Sequence, residues 1–563
     1  VSDVIEIIVY DVFSVGNFYN RTDSDSRFVR HDSATAGTDN FIAGNNAGDA
    51  IQSGGNYNTV VGNEAGTAIT TGDRNTVVGF EALKTATTAQ YNVAVGYQAL
   101  ENNTGNSNTA VGDQALEANT SGTNNVAVGD DALVANTTGV KNIAIGDSAL
   151  STNIDGDGNV AVGHQALKTL EPADGLSHNT AVGYLSGTAL TTGTYNTSLG
   201  SFTLSSDTQG KYSTAVGYGS LYTQNTGSAT NMHNTAVGYN SGVNVTTGIY
   251  NTIMGANTGD ALTDADYNVA IGGNALSTDT KGNRAVAVGY GALNGQNHTS
   301  STDNYNVAVG YTAGNALTTG IQNTLIGGLA GDGTDDGSYN TAVGYASLSA
   351  NAGNGNTALG WVAGFQITGI NNTCVGNAAG YALTSGGNNL FLGMDSGRTG
   401  SPGGNQTTGS DTIILGDENI GAFNCQVSLT VASDQRDKTD FKPLDLGLDF
   451  VKALAPVTYR WDKRSKYGDK YAEDYDLNAQ TPDGTHKEDW LDVGFKAQEV
   501  EVLEEAAGYK IADKTNLTTT LTPDGKQYGI QYEKFVPILV KAVQELSAKN
   551  DALEARIKKL EDG

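Results

Sequence analysis

Few residues of this chain stand at spacings that chemistry demands. The six histidines are scattered, and no His/Cys grouping has the spacing of a zinc site. Acidic loops such as Asp155-Gly-Asp-Gly158 and Asp332-Gly-Thr-Asp-Asp-Gly337 offer carboxylates for Ca²⁺, but they lack the full EF-hand ligand spacing. No cofactor is assigned, and Ca²⁺ in those loops is the one metal reading left open. Tyrosines recur in two series, one with Tyr97, Tyr184, Tyr218, Tyr239, Tyr290, Tyr311 and Tyr345, the other with Tyr57, Tyr91, Tyr195, Tyr250, Tyr267, Tyr305 and Tyr339. Stacked rings can bind sugars, yet a repeat makes the same ladder with no ligand at all. No G-x-S-x-G, P-loop or dinucleotide fingerprint is present. One run, Ser433-Asp-Gln-Arg436-Asp-Lys438, collects a hydroxyl, two carboxylates and two cations. Read alone, its Ser433-Asp434 pair is an ordinary helix N-cap or turn.

The element that must carry these groups is a repeat. Between Asn40 and Gly416 one phrase recurs about 22 times at a period near 17 residues, as in Asn92-Val-Ala-Val-Gly96, Asn108-Thr-Ala-Val-Gly112 and Asn306-Val-Ala-Val-Gly310. Each copy has only a few apolar side chains and must bury them against its neighbours, so the copies stack. Val93 and Val95 share one face of an extended segment and Ala94 points to the other. Gly96 permits a turn, Ala99 and Leu100 re-enter the interior, and Asn102-Asn103-Thr104-Gly105 turns the chain into the next coil. Two short strands and two turns fit the period. This predicts a mainly β fold, a narrow parallel β-roll or β-helix rod on the order of 100 Å long.

The leading Asn should form a ladder from coil to coil. Ser213 and Ala285 replace it, the last copy, Asp411-Thr-Ile-Ile-Leu-Gly416, is irregular and reads as a cap, and longer intervals before Gly183, Gly238 and Gly310 put insertions at one corner. Ala in mid-phrase leaves one flank of the strand nearly flat. Three such flanks packed about an axis would cover it, which predicts a homotrimer. The phrase resembles the head repeats of trimeric autotransporter adhesins, which form left-handed trimeric β-rolls, and similar repeats in phage tail fibres.

At Ser433 Gly and Asn thin out while Lys, Glu and Leu rise. Leu446–Leu454 has helical periodicity and ends at Ala455-Pro456. Val457-Thr-Tyr459-Arg-Trp461 alternates as a strand, Gly494-Phe495-Lys-Ala-Gln498-Glu499-Val500 follows, and Tyr532-Glu-Lys-Phe535 leads into a terminal helix. This block resembles the endosialidase-type C-terminal intramolecular chaperone found on phage tailspikes and fibres and on some membrane-bound transcription factors. The resemblance implies a self-cleaving dyad with Ser433 as nucleophile, Lys438 as general base and the Ala432–Ser433 bond as target. Asp434 and Arg436 also match the motif, as an ion pair that shapes the site. In the last helix Val536, Leu539, Val543, Leu546, Asn550, Leu553, Ile557 and Leu560 alternate three and four apart, the seam of a coiled coil. By the usual rule such a seam favours two strands, whereas the resemblance implies three.

The expected organisation is a strand-like cap or end of an upstream domain over 1–35, with Val4–Phe13 its apolar core. A repeat rod follows over 36–422, a linker over 423–432, a small α+β chaperone domain over 433–534 and a coiled coil over 535–563. The chain opens on Val1 rather than Met, which reads as a fragment or a processed product. A net charge of −29 argues against nucleic acid as partner, and no stretch near 20 apolar residues predicts membrane insertion. Cys374 and Cys425 are a poor basis for a disulfide framework. Together these features predict a bacteriophage tail fibre, assembled in the host cytoplasm and carried on the virion tail. Its partners would be a host-surface receptor, glycan or protein, and other tail proteins through an upstream region. A glycan-degrading tailspike and a bacterial trimeric adhesin are the alternatives.

Overall fold

A computed structural model describes residues 29–30, 37–172, 175–426, 431–472 and 474–563. The predicted cap segment Val4–Phe13 lies outside them. The chain divides into two compact units, one ending at Ile321 and one beginning at Gln322. The first is a parallel β-solenoid whose sixteen described three-residue strands run from Phe41–Ala43 to Val307–Val309. The second opens with six more, from Thr324–Ile326 to Ile413–Leu415, and ends in a small domain with a long terminal helix. Strands pair in register from one coil to the next, as Val93↔Thr109, Ala94↔Ala110 and Val95↔Val111. Each coil holds one three-residue strand, not the two that were expected. Turns make up the remainder.

The faces of that strand are the reverse of a simple hydrophobicity ranking. Ala94, Ala110, Ala127 and Ala144 are fully buried, while the flanking Val, Thr and Ile are half-buried or exposed. The small-residue flank read from the sequence as a packing surface between chains is therefore the inside of the coil. The outward stripe of Val, Thr and Ile is what a neighbour would meet. Larger inward side chains, Val60, Val77, Ile253, Leu325 and Phe391, are buried at the same position in other coils, and the glycine after each strand almost touches its counterpart. A Cβ on Gly96 (φ +143°) would lie 2.0 Å from the carbonyl oxygen of Gly112.

The rest of the interior is filled in one of two ways. Four residues after the glycine stands either a leucine, such as Leu100 or Leu116, or another glycine, such as Gly66 or Gly259. Both conformations are left-handed, with φ +54° at Leu100 and +51° at Gly66. Holding leucine there costs roughly 1–2 kcal/mol, less than the roughly 1.5–3 kcal/mol that burying it contributes. Where glycine stands, a large side chain three residues on, or a mid-strand one such as Leu325 or Phe391, takes the space instead. Cβ atoms on Gly66 and Gly259 would meet Ile69 and Leu262 at 2.7 and 2.9 Å. Leu167 and Leu170 are both buried, because Gly187 in the next coil makes room for Leu167.

The Asn ladder forms, chiefly through the backbone. Asn142 Oδ1 accepts the N–H of Asn159 at 2.9 Å, and Asn142 Nδ2 donates to the carbonyl of Gly156 at 2.7 Å. Direct amide–amide rungs occur too, as Asn75 to Asn58 at 3.0 Å. At the two breaks other side chains stand in. Asn304, from an inserted segment, accepts the Asn306 N–H at 2.9 Å where Ala285 cannot. Gln224 bridges the Ser213 hydroxyl to the Asn234 amide. Each insertion lies at one corner and pairs with the preceding coil, through Asp157↔Leu176, Lys211↔Asn231 and Gly282–Asn283 with Thr302–Asp303.

The terminal domain is built from helices α1 (Leu448–Ala453), α2 (Ala497–Ala506) and α3 (Phe535–Glu561) with two antiparallel strand pairs. Val457–Tyr459 pairs with Asp492–Gly494, and Thr519–Leu521 with Tyr528–Ile530. Buried Glu504 on α2 accepts from the backbone and hydroxyls of Thr518 and Thr519, tying α2 to the second pair. Gly447 has no side chain to cap α1. Glu545 on α3 does so, accepting the Leu448 N–H at 2.8 Å, and that bond holds its carboxyl below the ordinary range.

If the ladder carries the register, Asn142→Ala leaves the Asn159 N–H buried without a partner, at a cost of about 2 kcal/mol, while the Gly156 carbonyl keeps the Asn153 amide. Amide exchange at Asn159 should then accelerate roughly thirty-fold by local opening. Asn304→Ala should do the same to Asn306. Unchanged protection at both amides would mean that strand pairing alone sets the coils.

Candidate functional site

Ser433 and Lys438 meet because a short turn lies between them. Residues Gln435–Asp437 form one turn of 3₁₀ helix whose N-cap is Asp434, its carboxylate accepting the Arg436 N–H at 2.9 Å. Lys438 closes the turn, its own N–H donating to the Gln435 carbonyl at 3.2 Å. The turn folds the lysine back over the serine, and Lys438 Nζ lies 2.5 Å from Ser433 Oγ and 3.5 Å from the Ser433 carbonyl oxygen. The capping role expected of an isolated Ser-Asp pair therefore falls to Asp434, and that cap is what assembles the pair.

Asp434 and Arg436 face each other as well. The guanidinium donates from Nε at 3.1 Å to both carboxylate oxygens and from Nη2 at 2.6 Å. These bonds hold the Asp434 carboxyl below the ordinary carboxylate range. The fork is a second tie across the turn. A hydroxyl beside an amine can lose its proton to that amine once the lysine is neutral, and an oxygen nucleophile next to a peptide carbonyl is the chemistry on offer.

Every described residue from Gly421 to Pro443 is exposed, including Ser433, Lys438 and the apolar Phe423, Val431 and Phe441. Among the described residues of one chain nothing covers the pair. The same holds for the helix seam. Val536, Leu539, Val543, Leu546, Leu553, Ile557 and Leu560 all face solvent, whereas Phe535, Ile538 and Ala542 on the other side of α3 are buried. Asn550 on the seam donates to Glu554 at 3.0 Å.

Elsewhere the structure reassigns several sequence signals. Tyrosine faces are spent on one another, as in the run His178, Tyr195, Tyr212, His233, Tyr250 and Tyr267, with centroids 4.8 to 5.7 Å apart. Arg284 continues it between Tyr267 and Tyr305. Ring faces stacked this way offer a sugar only their edges. His164, His178 and His233, which look scattered, occupy repeat positions that tyrosine fills in other coils. Asp157 of the first acidic loop accepts the Val140 N–H at 2.7 Å. Among the described residues no three His, Cys, Asp or Glu side chains are grouped to hold a metal, and no helix is long and apolar enough to cross a membrane. Cys374 is buried, its thiol pushed up to about 12 by burial, and Cys425 is exposed; neither is bonded. A charge cluster around Lys470 had no sequence signal, because its members lie in separate stretches of chain.

Searches of curated proteins and of solved structures each returned no match. A scan of protein families matched residues 433–509 to the peptidase S74 family, described as the chaperone of endosialidase, so the domain that follows the solenoid, beginning at Ser433 itself, is similar to that family.

Proposed function

We propose that this chain is a viral tail fibre: a trimeric β-solenoid for attachment to a host surface, whose C-terminal domain templates assembly and then cleaves its own chain at Ala432–Ser433. The observation that carries the reading is the 2.5 Å contact between Ser433 Oγ and Lys438 Nζ at the first residue of the family match, directly after a solenoid. In the proposed reaction neutral Lys438 takes the Ser433 hydroxyl proton while Oγ attacks the Ala432 carbonyl carbon. The C–N bond breaks, the lysine returns its proton to the leaving amine, and an ester joins the two pieces. Water hydrolyses the ester, leaving a carboxylate on Ala432 and a free amine on Ser433. The event happens once per chain.

The solenoid supplies the reason for a template. Its coils touch neighbours alone, so three chains can align one coil out of phase at little cost. A domain that folds locally and trimerises through the α3 seam holds the chains in phase while the coils stack. Cutting afterwards severs the covalent link to the template and leaves a fibre that does not unfold along the same route.

Ser433→Ala and Lys438→Ala should give full-length trimer that is never trimmed, seen as a single band on denaturing gels beside a native mass measurement. A wild-type chain that also stays full-length after long incubation removes self-cleavage. Asp434→Ala loses the turn's cap, about 1 kcal/mol, and should slow the cut about five-fold without abolishing it. Ending the chain at Ala432 should yield misassembled solenoid, and abundant native trimer from it would remove the chaperone role.

A further inference from the structure

We propose that the last coils of the solenoid form a docking socket for the C-terminal domain, with Lys470 as its plug, so that cutting the chain at Ala432–Ser433 does not by itself release the domain. The inference rests on the chaperone reading and adds how that domain is held. Both surfaces lie within the second compact unit. On the solenoid side Asp395, Asp417 and Glu418 converge, all three nearly buried. Into them reaches Lys470, its Nζ 2.8 Å from Glu418 Oε1, 3.0 Å from Asp395 Oδ2 and 3.8 Å from Asp417 Oδ2.

The neighbours of the plug reinforce it. The Tyr471 hydroxyl donates to Asp395 Oδ2 at 2.7 Å. Arg398 of the solenoid is sandwiched between the rings of Tyr381 and Tyr471, at 4.5 and 5.0 Å from their centroids. Lys463 Nζ donates to the Glu418 carbonyl at 2.6 Å, and the Asn405 N–H donates to Asp524 at 3.0 Å. At Gly400 and Gly404 the backbones run so close to the domain that a Cβ would lie 2.7 Å from Ser465 Cβ and 2.6 Å from Thr522 Cβ. Burial alone would make the Lys470 ammonium easier to deprotonate, but the bonds to Glu418 and Asp395 outweigh it and hold the group above its ordinary range.

None of these contacts needs the peptide chain between residues 418 and 463. Once that chain is cut they are what holds the domain to the solenoid. Withdrawing Lys470 would strand three buried carboxylates beside Arg398, the one cation still paired with them among the described residues, so departure is opposed until something else neutralises them.

The test uses the full chain carrying Ser433→Ala, so that no self-cut intervenes, with the recognition sequence of a specific protease in place of residues 426–431. After digestion at low ionic strength, the piece from 433 onward should co-elute with the solenoid on gel filtration. Lys470→Met should weaken retention about ten-fold or more, because removing one partner of a buried ion cluster strands the others. Combining it with Asp395→Asn and Glu418→Gln should restore part of the retention. Tyr471→Phe, which deletes one hydroxyl, gives a smaller weakening and serves where Lys470→Met does not fold. Separation of the unmutated piece on cutting overturns the proposal, and so does retention unchanged in the Lys470 and Tyr471 variants. Because the protease makes the cut, a chain that never cleaves itself leaves this result intact.

Discussion

One constraint governs the solenoid: a coil of some 17 residues is too thin to make a core by itself, so every coil is held by the next. Most steps between coils are alike. Each comprises a three-residue strand in register, an Asn Oδ1 accepting the following Asn N–H, and two glycines in near-contact. Identical steps are strong collectively and uninformative individually. A coil paired with the wrong neighbour recovers almost the same bonds, so the ladder supplies cohesion without an address.

Addresses come from the irregular coils. Where Ala285 leaves the ladder, Asn304 must be present one coil later, and where Ser213 does so, Gln224 must. Both breaks sit beside a buried carboxylate. Asp207 is pushed up by burial, although Gln224 and the Gly210 N–H bond to it. At Asp279 burial pushes the same way, but the bonds from His298 and Gln296 outweigh it and the carboxyl stays low. Such groups are costly unless matched with their own partners. A mispaired coil would bury them unmatched, so the same polar residues that weaken the stack locally mark its correct register.

Much of this was legible in the sequence. The phrase and its period announced a stack, and the Asn, the corner insertions and the irregular last copy fell where they were read. So did α1, the Val457–Tyr459 strand and α3. The inward face was not legible, because hydrophobicity ranks Val above Ala and the ranking holds only where the interior has room. In most coils alanine takes the inward position and valine is turned out, while Val60, Ile253, Leu325 and Phe391 point inward where a neighbouring glycine leaves space. The exchange between Leu at one position and Ile or Leu three residues later was also missed, since it appears only when side chains share one cavity. The pairing of Ser433 with Lys438 came from a family motif and a cap or turn at Ser433-Asp434 was legible beside it, but not that the capped turn is what brings the pair together. Nothing in the sequence could have joined Lys470 to Asp395, because 75 residues and a change of domain separate them.

The exposure of the serine–lysine pair then bears on the order of events. A lysine serves as a base when it is taken out of water, and among the described residues of one chain Lys438 is exposed, in a stretch where Val431 and Phe441 are exposed too. On the proposed reading the missing cover is other copies of the chain, and what brings them is the α3 seam, whose apolar side chains are equally bare. Seam and site would be covered together, and the scissile bond would become reactive after the chains are aligned. A chain that met no partners would keep its template. That sequence is the useful one for a ladder without addresses, because a template lost before alignment could not be replaced.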